Sequence, residues 1–460
     1  MTAPASLLAS FESIVGAGNV LTDDSAREKY ASDGTRYHHR PDVIICPDGV
    51  DQVSAIVRIC ARERLPVVPR GAGTGYSGGA VPVRGGVVLS LERMNRILEI
   101  DESNLVAIVE PNVVTGDLQD AVERVGLFYP PDPASLRQSV IGGNVAEGAG
   151  GPRAFKYGTT RDYVLGLQAV LPTGEVVLTG GKVVKNVAGY DLTQLLVGSE
   201  GTLAIITRVI LRLIPLPSAR TTLRATFASV ADAASAVDRI VAERVVPAAL
   251  ELIDADSLDA ISRHLGGQPL APAGTAALVL IEVDGTPEAA AEDALRVERA
   301  CRAVGATELL RAGSAAERDE LWRVRRELSP ALRTLGRLKF NNDIVVPKGR
   351  IPQLFALIER LREDYGVRIA CFGHAGDGNI HVNVMVGESE EDRRRAGDTV
   401  RVLFEGVLAL EGSITGEHGV GLSKAPYLSM QLGPDVIALM QRVKQAFDPD
   451  GILNPGKIFP

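Results

Sequence analysis

The sequence predicts an α+β protein of at least two domains. Its 460 residues exceed one ordinary hydrophobic core, because single domains commonly hold roughly 100 to 200 residues. The texture of the chain also changes near LRLIPLPSART: short β-branched stretches and glycine-rich or proline-rich loops precede it, and strands alternating with long amphipathic helices follow it. We therefore expect one domain over residues 1–217, an α+β domain with an antiparallel sheet over 218–415, and a C-terminal segment over 416–460.

Composition and charge exclude several classes of protein. The formal net charge of -8 argues against nucleic acid as a partner, because phosphate binding needs a basic surface. Cys46, Cys60, Cys301 and Cys371 lie far apart without CxxC spacing, so we expect no disulfide framework, cysteine zinc site or iron–sulfur motif. We recognise neither a signal peptide nor an apolar run that would span a membrane. A cytoplasmic location is expected, with contact at the inner membrane only peripheral and through partners.

Regular alternation defines the elements of the second half. We predict, in order, a strand TTLRATF, a helix from Val230 to Glu243, a strand AALELI, a short helix, a strand AALVLIEV, a helix from Pro287 to about Val304, a strand near Glu308, a helix after Ser314, a strand RLKFNNDIVV, a helix ending near Tyr365, and two strands either side of the loop at His374. Ser314 and Glu317 form the pattern of a capping box. Residues 411–460 are predicted to be rich in loops.

One glycine-rich loop directly follows a predicted strand of the first half. It contains Gly71, Gly73, Gly75, Gly78 and Gly79, a density that lets backbone N–H groups approach a phosphate. Three of these glycines also satisfy the GxGxxG pattern of dinucleotide-binding Rossmann folds, which requires a helix to follow. The segment VVLSL already begins the next strand, so we reject a nicotinamide-type Rossmann fold. Tight turns alone would explain one such loop.

Two further loops make turns alone a poor explanation. YPPDPASLRQSVIGGNVAEGAGGPRAFKYGTT and KNVAGYDLTQLLVGSEGTLAIITRVILRL add several glycines and prolines in the same predicted domain. Three loops that expose backbone on one domain indicate a long cofactor laid across it.

Three of the six histidines lie in two glycine-flanked stretches of the last third. In VRIACFGHAGDGNIHVNVMV, two strands meet at an Asp-Gly turn, so His374 can lie roughly across from His381. Each histidine alone is more often a hydrogen-bonded structural residue. Together with Glu417 they make a three-ligand metal site with an open position, and His418 is then left as a base. Asn383 shares the face of His381, and we expect it to contact substrate.

The helix after Ser314 is rich in arginine. Arg325 and Ser329 are four residues apart and therefore share a helical face, and Lys339 follows on the next predicted strand. A solvated basic face is the ordinary interpretation of such a run. A binding site for an acidic substrate is the alternative, because an acidic protein needs a local positive cluster to bind a carboxylate.

The chain resembles the vanillyl-alcohol oxidase and p-cresol methylhydroxylase (PCMH) flavoprotein superfamily. Within it the sequence is similar to the branch containing glycolate oxidase FAD-linked subunit, D-lactate dehydrogenase and D-2-hydroxyglutarate dehydrogenase. The resemblance is carried in family order by PRGAGTGYSGGA, YPPDPAS, IGGNVAEGAGGPRAFKYGTTRDYVLGLQAVLPTGE, GYDLTQLLVGSEGTLAIIT, GHAGDGNIHVN, TGEHGVG and ILNPGK. It implies a PCMH-type FAD-binding domain of two subdomains, followed by a substrate or cap domain.

The same resemblance implies which residues bind FAD. The pyrophosphate would be held by Arg70, Gly71, Ala72, Gly73, Thr74, Gly75, Gly78 and Gly79; the flavin would lie along Pro131, Ser135, Gly142, Gly143 and Asn144; the adenine half would lie near Gly201 and Ile206; and Asn454 and Lys457 would return from the C-terminus. The first glycine loop contains neither His nor Cys, the residues that attach FAD covalently in some relatives. Noncovalent FAD is therefore expected.

For the second site the resemblance implies a divalent metal, Zn²⁺, bound by His374, His381 and Glu417. His418 would remove the hydroxyl proton of the substrate, and Arg325, Ser329 and Lys339 would bind its carboxylate. The expected reaction is oxidation of a small 2-hydroxy acid, glycolate or D-lactate, to the 2-oxo acid with hydride moving to flavin N5. D-2-hydroxyglutarate is an alternative substrate.

Two other functions remain open from the sequence. One is a non-catalytic FAD subunit of an electron-transfer complex like that of glycolate oxidase, and the other is a metal-binding scaffold without redox activity. The electron acceptor is expected to be a partner redox subunit, an electron-transfer flavoprotein or a quinone, in a homodimer or a heteromeric complex. Because the cysteines form no cluster, any iron–sulfur centre would belong to a partner.

Overall fold

This computed structural model describes residues 4–268, 270–336 and 338–459. The chain forms two compact units that are each discontinuous in sequence. Unit 1 comprises Met1–Gly150, Thr159–Leu216 and Glu417–Pro460, and unit 2 comprises Gly151–Gly158 and Pro217–Gly416. A short segment from the first half of the sequence therefore groups with unit 2, and the last stretch of the sequence groups with unit 1.

The strands of the described residues, in chain order, are β1 Val20–Leu21, β2 Val43–Ile45, β3 Val67–Arg70, β4 Val87–Ser90, β5 Ile97–Asp101, β6 Val106–Val109, β7 Leu127–Phe128, β8 Val164–Val170, β9 Val176–Gly180, β10 Ile205–Arg212, β11 Ile214–Pro215, β12 Ala219–Phe227, β13 Ala249–Asp254, β14 Ala277–Gly285, β15 Glu308–Arg311, β16 Leu338–Val345, β17 Arg368–His374 and β18 Asn379–Val386.

The α-helices of the same residues are α1 Ala5–Val15, α2 Asp24–Lys29, α3 Val50–Glu63, α4 Thr115–Glu123, α5 Ile141–Glu147, α6 Ala154–Tyr157, α7 Leu192–Leu196, α8 Val230–Ala242, α9 Ala255–His264, α10 Pro287–Ala303, α11 Ala315–Arg326, α12 Leu328–Ala331, α13 Ile351–Tyr365, α14 Glu390–Ala409, α15 Leu428–Gln431 and α16 Pro434–Phe447. None of the helices so described has the length and apolarity needed to cross a membrane.

Unit 1 contains two main sheets. The first has the strand order β1-β2-β4-β3, with β2 and β3 parallel to β4, and the second is antiparallel with the order β5-β6-β10-β8-β9. Each sheet has its own core. Helix α3 packs on the first sheet because Val53, Ile56, Val57 and Cys60 recur at helical spacing and are fully buried. Burial of each such side chain contributes on the order of 1.5–3 kcal/mol.

Unit 2 is built on one seven-stranded antiparallel sheet. Its strand order is β15-β12-β14-β13-β17-β18-β16. Every residue of β18 is buried, so both faces of the sheet are covered at this strand. On β18 the apolar Ile380, Val382 and Val384 alternate with His381 and Asn383, as predicted. The face that carries His381 and Asn383 is nevertheless not a solvated face.

The elements predicted for unit 2 are confirmed within one or two residues at most ends. Arg337, the first residue of one predicted strand, lies outside the described residues. The capping box is only half correct: Ser314 Oγ accepts from the N–H of Glu317, but the Glu317 carboxylate accepts from the N–H of Gly313 rather than from that of Ser314. The carboxylate therefore satisfies a donor one residue before the cap.

The prediction that residues 411–460 are rich in loops is wrong for one substantial stretch. Helix α16 spans 14 residues there, and Val443 and Phe447 pack against the core of the five-stranded sheet. Val443 and Phe447 are four residues apart, which is helical spacing, although glycine motifs flank the segment. None of the helices α1 to α7 of the first half was predicted from the sequence.

Candidate functional site

Four strands of unit 2 carry a continuous polar face. Glu251 on β13 lies opposite His374 on β17, and His381 on β18 lies opposite Asp343 on β16. The two histidines are not directly opposite each other as expected, because His374 pairs with Asn379 and His381 pairs with Phe372. They are diagonal neighbours, with ring centroids 5.3 Å apart and an interplanar angle of 86°. The imidazoles still lie close enough to share a ligand.

Glu251 is a fully buried carboxylate between His374 and Arg325. His374 Nδ1 lies 2.6 Å from Glu251 Oε1, and Arg325 Nε donates to Oε2 at 2.5 Å. Burial raises the pKa of Glu251, but the opposing charges and hydrogen bonds of His374 and Arg325 prevail and lower it to about 2. A carboxylate on one ring nitrogen fixes the tautomer and presents the other nitrogen, the usual arrangement of a metal-bound histidine.

Arg325 is held by Glu251 and by an aromatic ring. Its guanidinium carbon lies 4.8 Å from the centroid of Phe372, and only 4% of the residue is exposed. Nη2 of Arg325 is buried without a hydrogen-bond partner among the described residues. A buried, unsatisfied N–H donor carries a substantial penalty unless an acceptor arrives. This atom therefore suits an anionic ligand.

The remaining residues predicted to bind substrate lie on the same unit. Lys339 Nζ donates to Ser329 Oγ at 3.0 Å. Helix α11 ends at Arg326, so Ser329 belongs to the separate short helix α12 rather than to one continuous helical face. Asn383 is fully buried and accepts from Asn341 Nδ2 at 2.8 Å, which fixes its amide within the sheet.

Asp343 connects this polar face to the end of unit 2. Its Oδ1 accepts from Asn379 Nδ2 at 2.6 Å and lies 3.8 Å from His381 Nδ1, and its Oδ2 accepts from the N–H of Gly416 at 2.8 Å. Gly416 is the last residue of unit 2, and Glu417 is next in the sequence. Asp343 thus holds the side chain of Asn379 and the backbone that precedes Glu417, and its carboxylate lies near His381.

In unit 1, His418 packs against the first glycine loop. Its imidazole stacks on the ring of Tyr76, with centroids 5.3 Å apart and planes 29° apart. Glu417 Oε1 lies 3.9 Å from His418 Nε2, and both side chains are largely buried. A Cβ on Gly150 would lie 2.8 Å from Oε2 of Glu417, so a larger residue there would displace the carboxylate from this position.

The first glycine loop connects two parallel strands without a helix. Strands β3 and β4 are parallel neighbours, and residues 71–86 between them contain no helix, which confirms the rejection of a Rossmann turn. Arg70 supports the loop from within: its Nη1 donates to the carbonyl oxygen of Ser32 at 2.8 Å, and its guanidinium lies over Tyr30. The Arg70 side chain is therefore already engaged inside unit 1.

The glycines of the cofactor loops have two distinct roles. A Cβ on Gly71 or Gly142 would come within 2.6 Å of Val140 or Pro111, so these two allow close packing. A Cβ on Gly75 or Gly143 would meet its nearest neighbour only at 3.8 Å. That distance is an ordinary van der Waals contact, so packing within the protein does not itself require glycine at these two positions.

The C-terminal segment reaches the same loop. Asn454, at φ 41°, donates from Nδ2 to the carbonyl oxygens of Gly79 and Glu200 at 2.8 and 2.7 Å. Lys457 Nζ donates to the carbonyl oxygen of Val81 at 2.7 Å. Oδ1 of Asn454 is buried with no hydrogen-bond partner in the described residues, which suits a donor group on a ligand. The loop therefore fits a cofactor with hydrogen-bonding and phosphate groups.

The other residues predicted to bind the cofactor also lie in unit 1, and they differ in burial and in hydrogen bonding. Asn144 Nδ2 donates to Thr115 Oγ1 at 2.7 Å, and Gly201 has φ 66° in the turn before β10. Pro131 and Ile206 are buried, and Ser135 is half-buried. The contacts of Asn144 are internal ones.

Sequence reasoning missed three acidic residues that shape these sites. Glu251 and Asp343 face the two histidines, and Glu200 lies beneath the loop that carries His418. A signal existed for Glu251, since it is a single charged residue inside the apolar strand AALELI. For Asp343 and Glu200 the partners are distant in sequence, so spacing gave no indication.

Family models match both halves of the chain. Residues 216–458 match the C-terminal domain of FAD linked oxidases, and residues 41–180 match an FAD binding domain. The chain therefore belongs to the FAD-linked oxidase family.

Curated relatives narrow the class further. The chain is 43% identical to "Glycolate oxidase subunit GlcD" of Bacillus subtilis, covering 97% of this chain and 95% of that protein. It is 38% identical to a D-lactate dehydrogenase of Anaerostipes hadrus, covering 95% and 94%, and 36% identical to a D-2-hydroxyglutarate dehydrogenase of Stutzerimonas stutzeri, covering 100% of both. The protein is thus an FAD-dependent hydroxyacid oxidoreductase of this group.

Solved structures confirm the predicted fold. p-Cresol methylhydroxylase with bound substrate gives a TM-score of 0.79 at 20% identity, covering 98% of this chain and 96% of that one. A 4-ethylphenol oxidase from Gulosibacter chungangensis gives 0.78 at 21% identity, covering 99% and 97%. The α+β architecture with a PCMH-type FAD-binding domain is therefore correct.

Proposed function

We propose that the protein oxidises glycolate or D-lactate to the corresponding 2-oxo acid. The observation that carries this proposal is the buried Glu251, which orients His374 on one side and Arg325 on the other. The Glu251 carboxylate thereby joins His374, a candidate metal ligand, to Arg325, a cation that can bind the carboxylate of a substrate. A non-catalytic FAD subunit would have no use for this arrangement.

FAD, when bound, supplies the acceptor for the hydride that leaves C2 of the substrate. The residues proposed to hold it are those of the loop from Arg70 to Gly79, together with Pro131, Ser135, Gly142, Gly143, Asn144, Gly201, Ile206, Asn454 and Lys457. Of the protein's own groups, the glycines supply open backbone and Lys457 supplies a positive charge. We propose that the cofactor is noncovalent, and flavin absorbance that stays with acid-precipitated protein would contradict this.

His374, His381 and Glu417 are proposed to hold a divalent metal ion, Zn²⁺. Two imidazoles and one carboxylate form the donor set of catalytic zinc sites, in which the ion acts as a Lewis acid toward a substrate oxygen. Support comes from two carboxylates: Glu251 lies 2.6 Å from His374 Nδ1, and Asp343 lies 3.8 Å from His381 Nδ1 and also holds the backbone of Gly416 directly before Glu417. Such outer carboxylates commonly accompany metal-bound histidines.

His418 is proposed as the general base that takes the hydroxyl proton. Its imidazole is stacked on Tyr76 and largely buried, so its orientation is restricted. Arg325 Nη2 and Lys339 are proposed to bind the substrate carboxylate, since a guanidinium can pair with a carboxylate through charge-assisted hydrogen bonds. Ser329 acts through its bond with Lys339, and Asn383 lies beside His381 on the same face.

D-2-hydroxyglutarate is the second candidate substrate, because a relative with that activity in its name matches the whole chain. Anaerobic mixing with glycolate and with both enantiomers of lactate and 2-hydroxyglutarate tests both candidates. We expect one D-acid or glycolate to bleach the flavin. Failure of every acid to bleach it, in protein that contains FAD and stoichiometric metal, would instead support the non-catalytic subunit.

His418→Asn tests the assignment of the base. General-base catalysis contributes typically 10²- to 10⁴-fold, so we expect the limiting rate of flavin reduction to fall by about that factor. FAD content should not change, because His418 is proposed to act on substrate. Unchanged reduction by a bound 2-hydroxy acid would refute the role of His418.

We further propose that the reduced flavin passes its electrons to a partner redox subunit, and that the protein is cytoplasmic. Relatives in Bacillus subtilis and Escherichia coli are named as glycolate oxidase subunits, and the four cysteines of this chain are free and buried rather than grouped for an iron–sulfur centre. An electron-transfer flavoprotein or a quinone are the alternative acceptors. Purification of the tagged protein from its own host, followed by iron analysis of co-purifying chains, distinguishes them.

A further inference from the structure

Glu200 is a buried carboxylate that binds the backbone beside His418. Oε1 accepts from the N–H of Val420 at 2.8 Å, and Oε2 accepts from the N–H of Gly421 at 2.7 Å. Only 5% of Glu200 is exposed. Both oxygens of one side chain therefore fix two consecutive peptide groups of the segment Glu417–Gly421, which we call the base loop.

The backbone of Glu200 is strained. Its φ of 53° lies in the left-handed region, between Gly198 at φ 77° and Gly201 at φ 66°. Glycine adopts such angles at no steric cost, whereas other residues do so only when their surroundings hold them there. A glutamate in this turn is consistent with a use for its carboxylate beyond the turn itself.

A second buried glutamate lies against the same loop. A Cβ on Gly419 would lie 2.3 Å from Glu147 Oε2 and 3.0 Å from Glu200 Oε1, so the residue after His418 rests on both carboxyl groups. Burial and the nearby Glu200 raise the pKa of Glu147 well above its ordinary value. Burial raises the pKa of Glu200 to about 7, although its two backbone donors act in the opposite direction. No bond joins Glu147 to the base loop in the described residues; Ser77 Oγ donates to it.

The residues after the base loop are bonded to the glycine loop. The carbonyl oxygen of Ser77 accepts from the N–H groups of Leu422 and Ser423 at 2.7 and 3.0 Å. Ser77 is adjacent to Tyr76, whose ring stacks on His418. The base loop is therefore fixed by Glu200 at one point and by the glycine loop just beyond it.

We propose that Glu200 is a positioning residue for His418, and that its carboxylate sets the position of the base by holding the backbone of the base loop. This inference rests on the proposed role of His418 as the base. Misplacement of a catalytic group by about 1 Å can cost about 100-fold in rate. Loss of one of the two hydrogen bonds that Glu200 accepts should therefore lower the rate of the chemical step, while substrate and FAD remain bound.

The test is anaerobic stopped-flow reduction of the flavin in Glu200→Gln, with Glu110→Gln as the matched control. Glutamine at 200 keeps the size of the side chain but has one acceptor oxygen, so it can serve only one of the two N–H groups. We expect the limiting reduction rate per bound flavin to fall about 10- to 100-fold, with an unchanged apparent Kd for the acid. Glu110 is also a buried carboxylate of unit 1, but its bonds are to Arg96, so Glu110→Gln should reduce flavin at close to the rate of the unaltered protein.

Hydrogen–deuterium exchange of the Val420 and Gly421 amides gives an independent measurement. We expect faster exchange at these amides in Glu200→Gln. If that variant does not fold, Glu200→Asp retains the buried charge on a shorter side chain and should show the same loss of rate. A limiting rate per bound flavin that is unchanged, with only FAD content or melting temperature lowered, would mean a merely structural role and overturn the proposal.

The two proposals fail in different ways. If His418→Asn slows reduction and Glu200→Gln does not, only the positioning role of Glu200 is wrong. If neither variant slows reduction by a substrate that bleaches the flavin, the assignment of His418 as the base is wrong.

Discussion

At the scale of single residues, the polar face of unit 2 depends on Glu251. A buried carboxylate is costly unless it is paired and hydrogen-bonded, and Glu251 meets this condition through His374 and Arg325. The same pairs fix the orientation of the two side chains that the proposed chemistry uses. Stability and function are therefore coupled at this residue.

Glu251→Gln should be strongly destabilising. Removing one partner of a buried ion pair leaves the other charge uncompensated, which typically costs about 3–5 kcal/mol. Loss of the carboxylate beside His374 should also lower metal affinity by about 10- to 100-fold. Urea denaturation and metal analysis after dialysis measure the two effects.

The control for this variant is Glu405→Gln, which breaks an exposed ion pair with Arg401. Exposed pairs contribute about 0–1 kcal/mol, so its unfolding free energy and its metal content should hardly change. Equal losses in both variants would contradict the special role of Glu251.

Lys457 gives a prediction for pH. Burial lowers the pKa of Lys457 to about 8, below the value of about 10.4 for an unperturbed lysine. Burying the charged form therefore costs stability below pH 8, and this cost disappears as the pH rises from about 8 toward 10.4. A nearby pyrophosphate would favour the charged form, so FAD binding should take up a proton near pH 8.

We therefore expect FAD affinity to fall as the pH rises through 8. Lys457→Arg keeps its charge and should lose this dependence, and Lys457→Met should bind FAD weakly at every pH. The fluorescence of released FAD, recorded between pH 7 and 9.5, measures the FAD affinity of each protein. The same pH profile in the unaltered protein and in Lys457→Met would show that Lys457 does not contact the cofactor electrostatically.

At the scale of elements, the hairpin β17–β18 was predictable in part. The Asp-Gly turn and the alternation on β18 correctly predicted both strands and the face shared by His381 and Asn383. Register was not predictable, because it depends on a four-residue turn, Ala375–Gly378, whose geometry the sequence pattern does not define. The diagonal placement of the histidines followed from that register.

Gly378→Ala should destabilise this hairpin. Gly378 has φ 82°, and a Cβ there would lie 1.9 Å from the carbonyl oxygen of Val346. Backbone strain and this clash together should cost more than about 1 kcal/mol, and the displaced turn should reduce metal content. Thermal unfolding and metal analysis report both changes.

Gly397→Ala is the matched control, since Gly397 lies inside α14 and a Cβ there would meet no neighbouring side chain within 4 Å. Alanine is favoured over glycine inside a helix by about 0.5–1 kcal/mol, so this variant should be slightly more stable. If both glycine variants shifted stability in the same direction, the argument from the turn would not hold.

At the scale of the whole molecule, each unit is assembled from segments far apart in sequence. The fold class followed from local patterns, because the change of texture near residue 217 and the alternation after it are both visible in a single sequence. The membership of residues 151–158 in unit 2 was not foreseen, because it depends on contacts such as Tyr157 Oη donating to Asp284. Periodicity carries no information about such pairs.

For the candidate sites too, local features were predictable from the sequence and long-range contacts were not. Histidines and glycines in short motifs were identified, since a motif is local. The acidic residues Glu200, Glu251 and Asp343 were missed, because each acts on a partner more than 30 residues away in sequence. Only the structure shows which residues from distant parts of the sequence contact a recognised motif.

The central claim is that this FAD-linked oxidoreductase oxidises a small 2-hydroxy acid with His418 as base. Anaerobic titration of the purified protein with glycolate and with D- and L-lactate, followed by flavin absorbance, tests it most directly. The account predicts bleaching by glycolate or D-lactate, lost or slowed at least about 100-fold in His418→Asn. An FAD-loaded, metal-containing protein whose flavin none of these acids reduces would contradict it.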